Sequence, residues 1–218
     1  MGINIAIDGP AGAGKSTIAK LVAKEKGFIY VDTGAMYRAI ALYLIRNNVA
    51  LDDSESMVKF ASQAEVSIKY VDGQQQVILN GEIVNGLIRT EEVSKMASVS
   101  SAVPEIRTML LELQRKLARE NDVVMDGRDI GTNILPNAQY KIFLTASAEE
   151  RANRRYKELV ERGEECDYEK IKADIIERDE RDSNRATAPL KQAEDAILVD
   201  SSNMTIDEVA KTIIDYCK

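Results

Sequence analysis

A glycine-rich octapeptide, GPAGAGKS at residues 9–16, constrains the fold of this chain more than any other feature. It matches the phosphate-binding loop pattern G-x-x-x-x-G-K-[ST], in which glycines let successive backbone N–H groups turn toward phosphate oxygens. The apolar run 3–7 precedes the loop and the amphipathic run 15–26 follows it, which gives the required order of strand, loop and helix. A simple glycine-rich turn is the alternative, but this context favours a loop that binds a nucleoside triphosphate.

The loop residues have separate expected roles. Lys15 should reach the β- and γ-phosphates, and the Ser16 hydroxyl should bind Mg²⁺. The helix that follows offers its N-terminal N–H groups and its positive dipole end to the same anion. The predicted triphosphate-binding residues are Gly9, Pro10, Ala11, Gly12, Ala13, Gly14, Lys15, Ser16 and Thr17.

Size and composition predict a single globular domain, because the 218 residues are 44% hydrophobic and 30% charged. The net charge of −7 argues against DNA or RNA as the main partner. Cys166 and Cys217 form no metal-binding or redox pattern. No run resembles a signal peptide or is long enough to cross a membrane, so a cytoplasmic location without membrane contact is expected.

Short apolar runs alternate with longer helical patterns, which predicts an α/β fold with a parallel sheet covered by helices. Each strand ends in polar or glycine residues, at the carboxyl edge where open α/β sheets bind ligands. The five predicted strands are 3–7, 28–31, 123–125, 141–144 and 196–199. The predicted helices are 15–26, one through about residue 46, 90–102, 104–120 and 148–185, the last broken around 163–167.

One stretch departs from this alternation. Residues 66–71, 76–79 and 82–84 are typical of short antiparallel strands, because Asp72-Gly73 and Asn80-Gly81 between them are hairpin signals. They predict a small antiparallel β insert in the parallel core.

Arginines are frequent near the predicted ligand edge: Arg38, Arg89, Arg107, Arg128, Arg151, Arg154, Arg155, Arg178, Arg181 and Arg185. A helical arginine often belongs only to a solvated face. Arg128 is different, because it follows an apolar strand directly, where an exposed charge has no packing role. Arginine binds phosphate bidentately and keeps its charge, so several arginines around a phosphate loop imply a second phosphorylated substrate.

A phosphate acceptor determines the expected mechanism. Its oxygen is already anionic at neutral pH, so no general base is needed, and the sequence contains no histidine. Catalysis then consists of positioning and of charge neutralisation by Lys15, Mg²⁺ and arginines. Water must be excluded to prevent hydrolysis. Residues 148–162, with Arg151, Arg154 and Arg155, are the predicted mobile lid.

Five motifs stand in order along the chain: GPAGAGKST at 9–17, DTGAMYR at 32–38, IRT at 88–90, DGRDIGT at 126–132 and RDERDSNR at 178–185. Together they resemble the bacterial cytidylate kinase family of P-loop nucleoside monophosphate kinases, almost end to end and including the β insert. The resemblance implies transfer from MgATP to CMP or dCMP, giving ADP and CDP or dCDP. Ser16 and Thr33 are mild departures, at positions where the family often has Gly and Ser.

The resemblance also implies roles for single residues. Arg38 and Arg128 would hold the acceptor phosphate, and Arg178 with Asp182 would hold the sugar. Thr33 would be a further substrate-binding residue. The residues around the cytosine would be Ser98, Arg107, Asp129 and Arg185. The implied regions are a core (1–35, 86–147 and 163–218), a monophosphate-binding region with the insert (36–85) and the lid (148–162), which close together.

Base selectivity follows from hydrogen-bond chemistry. A carboxylate such as Asp129 can accept from the cytosine N4 amino group, and an arginine can donate to N3 and O2. Uracil would turn its O4 acceptor toward Asp129, which predicts preference for CMP over UMP. A helix N-cap is the alternative role for Asp129.

Other functions stay open at this point. Another small-molecule kinase would act on AMP, UMP or a non-nucleotide instead of CMP. A GTPase-type switch would need an Asn-Lys-x-Asp motif, which the sequence lacks. A nucleic-acid-dependent ATPase is disfavoured by the acidic charge and by an aromatic content of 5%. A monomer suits an enzyme that closes around two substrates.

Overall fold

The structure is a computed structural model that describes residues 2–218. The strands in this range are β1 (Asn4–Asp8), β2 (Ile29–Asp32), β3 (Val66–Val71), β4 (Gln74–Leu79), β5 (Glu82–Ile83), β6 (Val123–Gly127), β7 (Tyr140–Thr145) and β8 (Ile197–Asp200). The helices are α1 (Lys15–Lys26), α2 (Thr33–Arg46), α3 (Ser54–Ala61), α4 (Glu91–Ser100), α5 (Pro104–Glu120), α6 (Ala148–Glu161), α7 (Tyr168–Asn184) and α8 (Ile206–Tyr216).

The central sheet has five strands in the order β2-β6-β1-β7-β8, all parallel. Hydrophobic clusters lie on both of its faces, so strand residues such as Ile5, Ala6 and Ile7 are fully buried. Burial on both faces is the reason that these strands appear in the sequence as continuous apolar runs. The predicted α/β fold is confirmed, and the strand ends shift by one or two residues.

The β insert is a separate three-stranded antiparallel sheet in the order β3-β4-β5. In the two predicted hairpin turns, φ is positive at both residues, as a type I′ turn requires. It is 51° at Asp72 and 73° at Gly73, and 48° at Asn80 and 85° at Gly81. The insert is fixed to the end of β2, because the Gln75 side chain accepts from Asp32 N (2.9 Å) and donates to Asp32 O (3.1 Å). The insert is therefore attached beside the carboxyl edge of the main sheet.

A short π-helical turn, Ile130–Ile134, follows β6 directly. Gly127 lies at the end of β6, where an added Cβ would sit 2.6 Å from Ile130 Cδ1 and 2.8 Å from Thr33 Oγ1. Only glycine fits this approach between the strand end and the turn. The turn places residues 128 and 129 in front of the carboxyl edge.

Two helices, α3 and α8, are not among the predicted elements. Helix α8 begins with a capping box, in which Thr205 and Glu208 satisfy each other's backbone N–H groups, and it buries Val209 and Ile213. The predicted break in the charged helical segment is confirmed, since α6 ends at Glu161 and α7 begins at Tyr168. Within residues 2–218, no helix is long and apolar enough to cross a membrane.

Candidate active site

The glycine-rich loop lies between β1 and α1 at the carboxyl edge of the sheet. Gly9 has φ 148°, and a Cβ there would lie 1.9 Å from Leu144 O, so the loop passes against the neighbouring strand β7. Gly14 is the N-cap of α1 in the left-handed conformation, with no side-chain hydrogen bond to the cap. The first N–H groups of α1 are therefore available to an anion.

Lys15 is almost fully buried behind the loop. Its Nζ donates to Pro10 O at 2.7 Å. Burial and the nearby positive charges of Arg128 and Arg178 hold the pKa of Lys15 well below its usual value. The ammonium is therefore directed into the loop and shares its surroundings with two arginines from distant segments.

Ser16 contacts a carboxylate that the sequence analysis does not single out. Its hydroxyl donates to Asp126 Oδ2 (2.9 Å), and the Tyr30 hydroxyl donates to Asp126 Oδ1 (2.9 Å). Burial, with a smaller contribution from Asp32, raises the pKa of Asp126 to about 6. Hydroxyl and carboxylate oxygens are ligands that Mg²⁺ prefers, so Ser16 and Asp126 could hold this ion together.

Asp8 is a second acidic residue outside the predicted set. It ends β1 and accepts hydrogen bonds at 2.7 Å from the N–H groups of Ile130 and Gly131. Burial raises the pKa of Asp8 to about 7. The carboxylate joins the strand before the loop to the turn that carries Arg128 and Asp129.

Arg38 and Arg89 meet at Asp32, the N-cap of α2. The Nη2 atoms lie 3.3 Å and 2.7 Å from Asp32 Oδ2, respectively. Burial would raise the pKa of Asp32, but the two arginines outweigh it and lower the pKa below its usual value. Thr33, in the same turn, donates through its hydroxyl to the backbone oxygen of Asp126 (2.7 Å).

Arg128 and Arg178 complete a cluster of positive charge opposite the loop. Arg128 Nε donates to Asp182 (3.0 Å), whereas Arg178 Nε is buried without a hydrogen-bond partner among residues 2–218. Burial, together with the charges of Arg128 and Arg38, lowers the pKa of Arg178 to about 10. The structure thus brings Lys15, Arg38, Arg128 and Arg178 to one place, where an anion would relieve their repulsion.

Asp129 is buried between two of the arginines that the sequence analysis assigns to the base. Arg107 Nη2 donates to its Oδ2, and Arg185 Nη2 lies 3.3 Å from its Oδ1. Asn133, outside the predicted set, donates to the same carboxylate (3.0 Å). Asp129 stands at the N-cap position of the π-helical turn, but its side chain makes no capping hydrogen bond, so the carboxylate itself does not cap the turn. Ser98 is also buried, and its hydroxyl accepts from Arg181 Nη1 (3.0 Å).

The three predicted lid arginines have different surroundings. Arg151 is buried and donates to Ala146 O (2.9 Å) and to Ala11 O of the loop (3.0 Å). Arg154 donates to Ser201 O (2.8 Å). Arg155 pairs with Glu158 on its own helix at 2.9 Å, and its side chain is 42% exposed. The structure thus brings Arg151 to the loop, whereas Arg155 is paired within α6.

Comparisons with known proteins identify the family of the chain. The family model described as Cytidylate kinase matches residues 5–218. A cytidylate kinase from Caldicellulosiruptor bescii is 51% identical over 213 residues, covering 98% of this chain and 94% of the relative. One from Shouchella clausii is 48% identical over 217 residues, covering 100% and 96%.

A solved structure from Eubacterium ventriosum, of an uncharacterized protein, shares only the fold. It has a TM-score of 0.53 and 15% identity, and the similarity covers 99% of this chain and 98% of that one. The sequence relatives carry the assignment instead, because they match nearly the whole chain at about half identity. This chain belongs to the cytidylate kinase family.

Proposed function

We propose that the protein transfers the γ-phosphoryl group of ATP to CMP or dCMP, giving ADP and CDP or dCDP. One observation carries the proposal: a buried carboxylate, Asp129, lies between Arg107 and Arg185 beside a cation cluster that faces the phosphate loop. A nucleobase site next to a second phosphate site requires a nucleoside monophosphate as acceptor. The names of the curated relatives support the same substrate.

The acceptor phosphate fits the cluster of Arg38, Arg128 and Arg178. A phosphate monoester has a second pKa of about 6, so at neutral pH it brings close to two negative charges. It would pair with the unpartnered Nε of Arg178 and would relieve the repulsion that lowers the pKa of this arginine. Asp182, which holds Arg128 in place, would accept hydrogen bonds from the sugar hydroxyls.

The base fits Asp129 by its donor and acceptor pattern. The N4 amino group of cytosine would donate to the carboxylate, and Arg107 and Arg185 would donate to N3 and O2. Uracil would place an acceptor against a buried carboxylate, and each unpaired buried group weakens binding. CMP and dCMP are therefore the preferred acceptors in the proposal.

The donor side fits ATP and Mg²⁺ by its chemistry. The loop N–H groups and Lys15 would hold the β- and γ-phosphates, and Ser16 with Asp126 would hold the ion. When bound, Mg²⁺ would neutralise negative charge on the phosphates. The Ser16 hydroxyl and the Asp126 carboxylate supply hard oxygen ligands, which Mg²⁺ prefers, and both lie close to the loop.

The protein's own groups position the reactants rather than exchange protons. Lys15 would leave Pro10 O for the transferring phosphoryl group, and Arg128 would stay between this group and the acceptor phosphate. An acceptor oxygen that is already anionic needs no base, which agrees with a chain that lacks histidine.

Closure of the site is part of the proposal. Residues 36–85 would move with the acceptor, and residues 148–162 would act as the lid that excludes water. One chain supplies residues for both phosphate sites, so a monomer would be sufficient.

A coupled assay of ADP release with a panel of acceptors tests this function. CMP and dCMP should give the highest kcat/KM, with UMP about 10²-fold lower and AMP and GMP lower still. Activity on AMP or a non-nucleotide without activity on CMP would identify another small-molecule kinase. Slow ATP or GTP hydrolysis that no acceptor accelerates would identify a nucleotide-dependent switch.

A further inference from the structure

Helix α5 carries a buried polar side chain that the proposed reaction does not use. Gln114 is 0% exposed, and neither its Oε1 nor its Nε2 forms a well-aligned hydrogen bond among residues 2–218, although the amide lies near enough to the Tyr37 hydroxyl to oppose the burial that raises the pKa of Tyr37. A buried amide without partners destabilises a fold, because its polar atoms lose their hydration and gain nothing in return. Such a group in a well-packed helix needs an explanation other than packing.

Gln114 lies close to Arg107, one of the residues assigned to the base. It follows Arg107 by seven positions on α5, so both side chains project from the same face of the helix, two turns apart. Both line a cleft of about 140 Å³ together with Tyr37 and Asn133; we call it the α5 cleft. The α5 cleft therefore borders the Arg107–Asp129 pair.

The wall of the α5 cleft bears directly on Asp129. Asn133 donates to this carboxylate from the cleft side, and Arg107 pairs with it. The Arg107 guanidinium lies 5.5 Å from the centroid of the Tyr37 ring, and its Nε is also buried without a partner among residues 2–218. The cleft has room for ordered water or for small side-chain movements. Partners for the unpaired atoms are therefore within reach across the cleft.

We propose that Gln114 is a positioning residue for recognition of the nucleobase. When a base is bound at Asp129, the Gln114 amide pairs across the α5 cleft with Tyr37 and Arg107, directly or through water. These hydrogen bonds hold the guanidinium against both the carboxylate and the base. The inference rests on the proposed function, because it assigns Gln114 to the same base site.

Gln114→Met tests the proposal, because methionine keeps the volume and removes the amide. The Tm should stay equal or rise, since an unpaired buried amide is lost. The KM for CMP should rise about tenfold, and the ratio of kcat/KM for CMP to that for UMP should fall by a similar factor. The KM for ATP should change by less than about twofold. Leu110→Met, on the same helix, removes no polar atom and should leave the kinetic values unchanged with at most a small fall in Tm.

Several outcomes would overturn this role. One is a raised Tm with an unchanged KM for CMP, since Gln114 would then be only an unfavourable buried group. Another is an equal rise in the KM values of CMP and ATP. Gln114→Leu repeats the test with a shorter side chain, and loss of folding in both variants would assign the amide to the fold. The wild-type protein is assayed first: if it does not phosphorylate CMP, the proposed function fails and the inference falls with it. If it does, only the variants decide the inference.

Discussion

The two halves of the candidate site are built from different parts of the chain. The donor half is mostly one continuous loop, residues 9–16, which would bind through backbone N–H groups and the Lys15 and Ser16 side chains, with Asp126 as its one distant member. The acceptor half takes side chains from α2, α5, α7 and the segment after β6. The loop can form its site by local conformation, whereas the acceptor half exists only after these four segments have packed together.

The two halves also differ in how their polar groups are satisfied. In the donor half, Lys15 bonds to Pro10 O and Ser16 bonds to Asp126. In the acceptor half, the Nε atoms of three arginines are buried without partners among residues 2–218: Arg38, Arg107 and Arg178. The donor-half side chains are thus already hydrogen-bonded within the protein, whereas the acceptor half keeps free donors for an incoming nucleotide.

Loss of the donor-half lysine should have the largest effect. Lys15→Ala should reduce kcat by about 10³-fold, because the ammonium neutralises charge on the transferring group. Steady-state kinetics at saturating ATP and CMP measure this loss, and circular dichroism checks the fold. Lys24→Ala, exposed on the same helix, is the matched control. Near-normal turnover in Lys15→Ala would remove the lysine from the reaction.

Loss of an acceptor-half arginine should affect only one substrate. Arg128→Ala should raise the KM for CMP by about 10²-fold and change the KM for ATP by much less, since a charged hydrogen-bond partner of the phosphate is lost. Arg119→Ala removes an exposed arginine that pairs only with Glu112 and should change neither value. An effect confined to the KM for ATP would contradict the division into two halves.

Asp182 should have a smaller and more selective effect. Asp182→Ala removes the proposed acceptor for the sugar hydroxyls, so the ratio of kcat/KM for CMP to that for dCMP should change by about tenfold. Asp174→Ala, exposed on the same helix, should leave the ratio as it is. If kcat/KM for both substrates is unchanged, Asp182 does not contact the sugar.

The smallest expected effect concerns stability and pH. The pKa of Asp126 is raised to about 6 in the folded protein, so its ionised form is disfavoured there. Its contribution to stability is present below pH 4 and is lost as the pH rises through 6. Asp126→Asn removes the charge but weakens the hydrogen bonds from Ser16 and Tyr30, so it should raise the free energy of unfolding at pH 8 by about 1 kcal/mol.

Urea unfolding at pH 8 and pH 5 without Mg²⁺ measures this difference, which should shrink at the lower pH. Asp52→Asn, at an exposed site, should behave as the wild type at both values. The prediction is contradicted if Asp126→Asn is less stable than the wild type at pH 8 and this deficit shrinks at pH 5. The ionised Asp126 carboxylate would then be stabilised in the folded protein.

The comparison also explains which features could be predicted from the sequence. Strands buried on both faces and hairpins marked by Asp-Gly and Asn-Gly are local signals, and these predictions are confirmed. Helix α8 has a local signal as well, the Thr205–Glu208 capping box, which could have identified it. Helix α3 is short and buries few residues, so its periodicity is weak.

The missed site residues have no local signal. Asp126 accepts from Tyr30, which is 96 positions away, and Asp8 accepts from N–H groups more than 120 positions away. Single acids at strand ends are common, and only the packing of distant strands decides which of them contacts the loop. The unpaired amide of Gln114 is equally invisible in a helix whose pattern is simply amphipathic.

Arg151 has a mechanical consequence for the hairpin formed by α6 and α7. Its guanidinium donates to Ala146 O just before α6, to Ala11 O of the phosphate loop and to Asp179 of α7. These contacts fix this end of the hairpin to the loop. The far end of α6 lies ten residues beyond, about 15 Å away at 1.5 Å per residue. A tilt of about 20° around Arg151 would move the far end by about 5 Å and would strain the hydrogen bond from Arg151 to Ala11 O. Opening of the hairpin and loosening of the nucleotide loop would then be a single motion with one pivot.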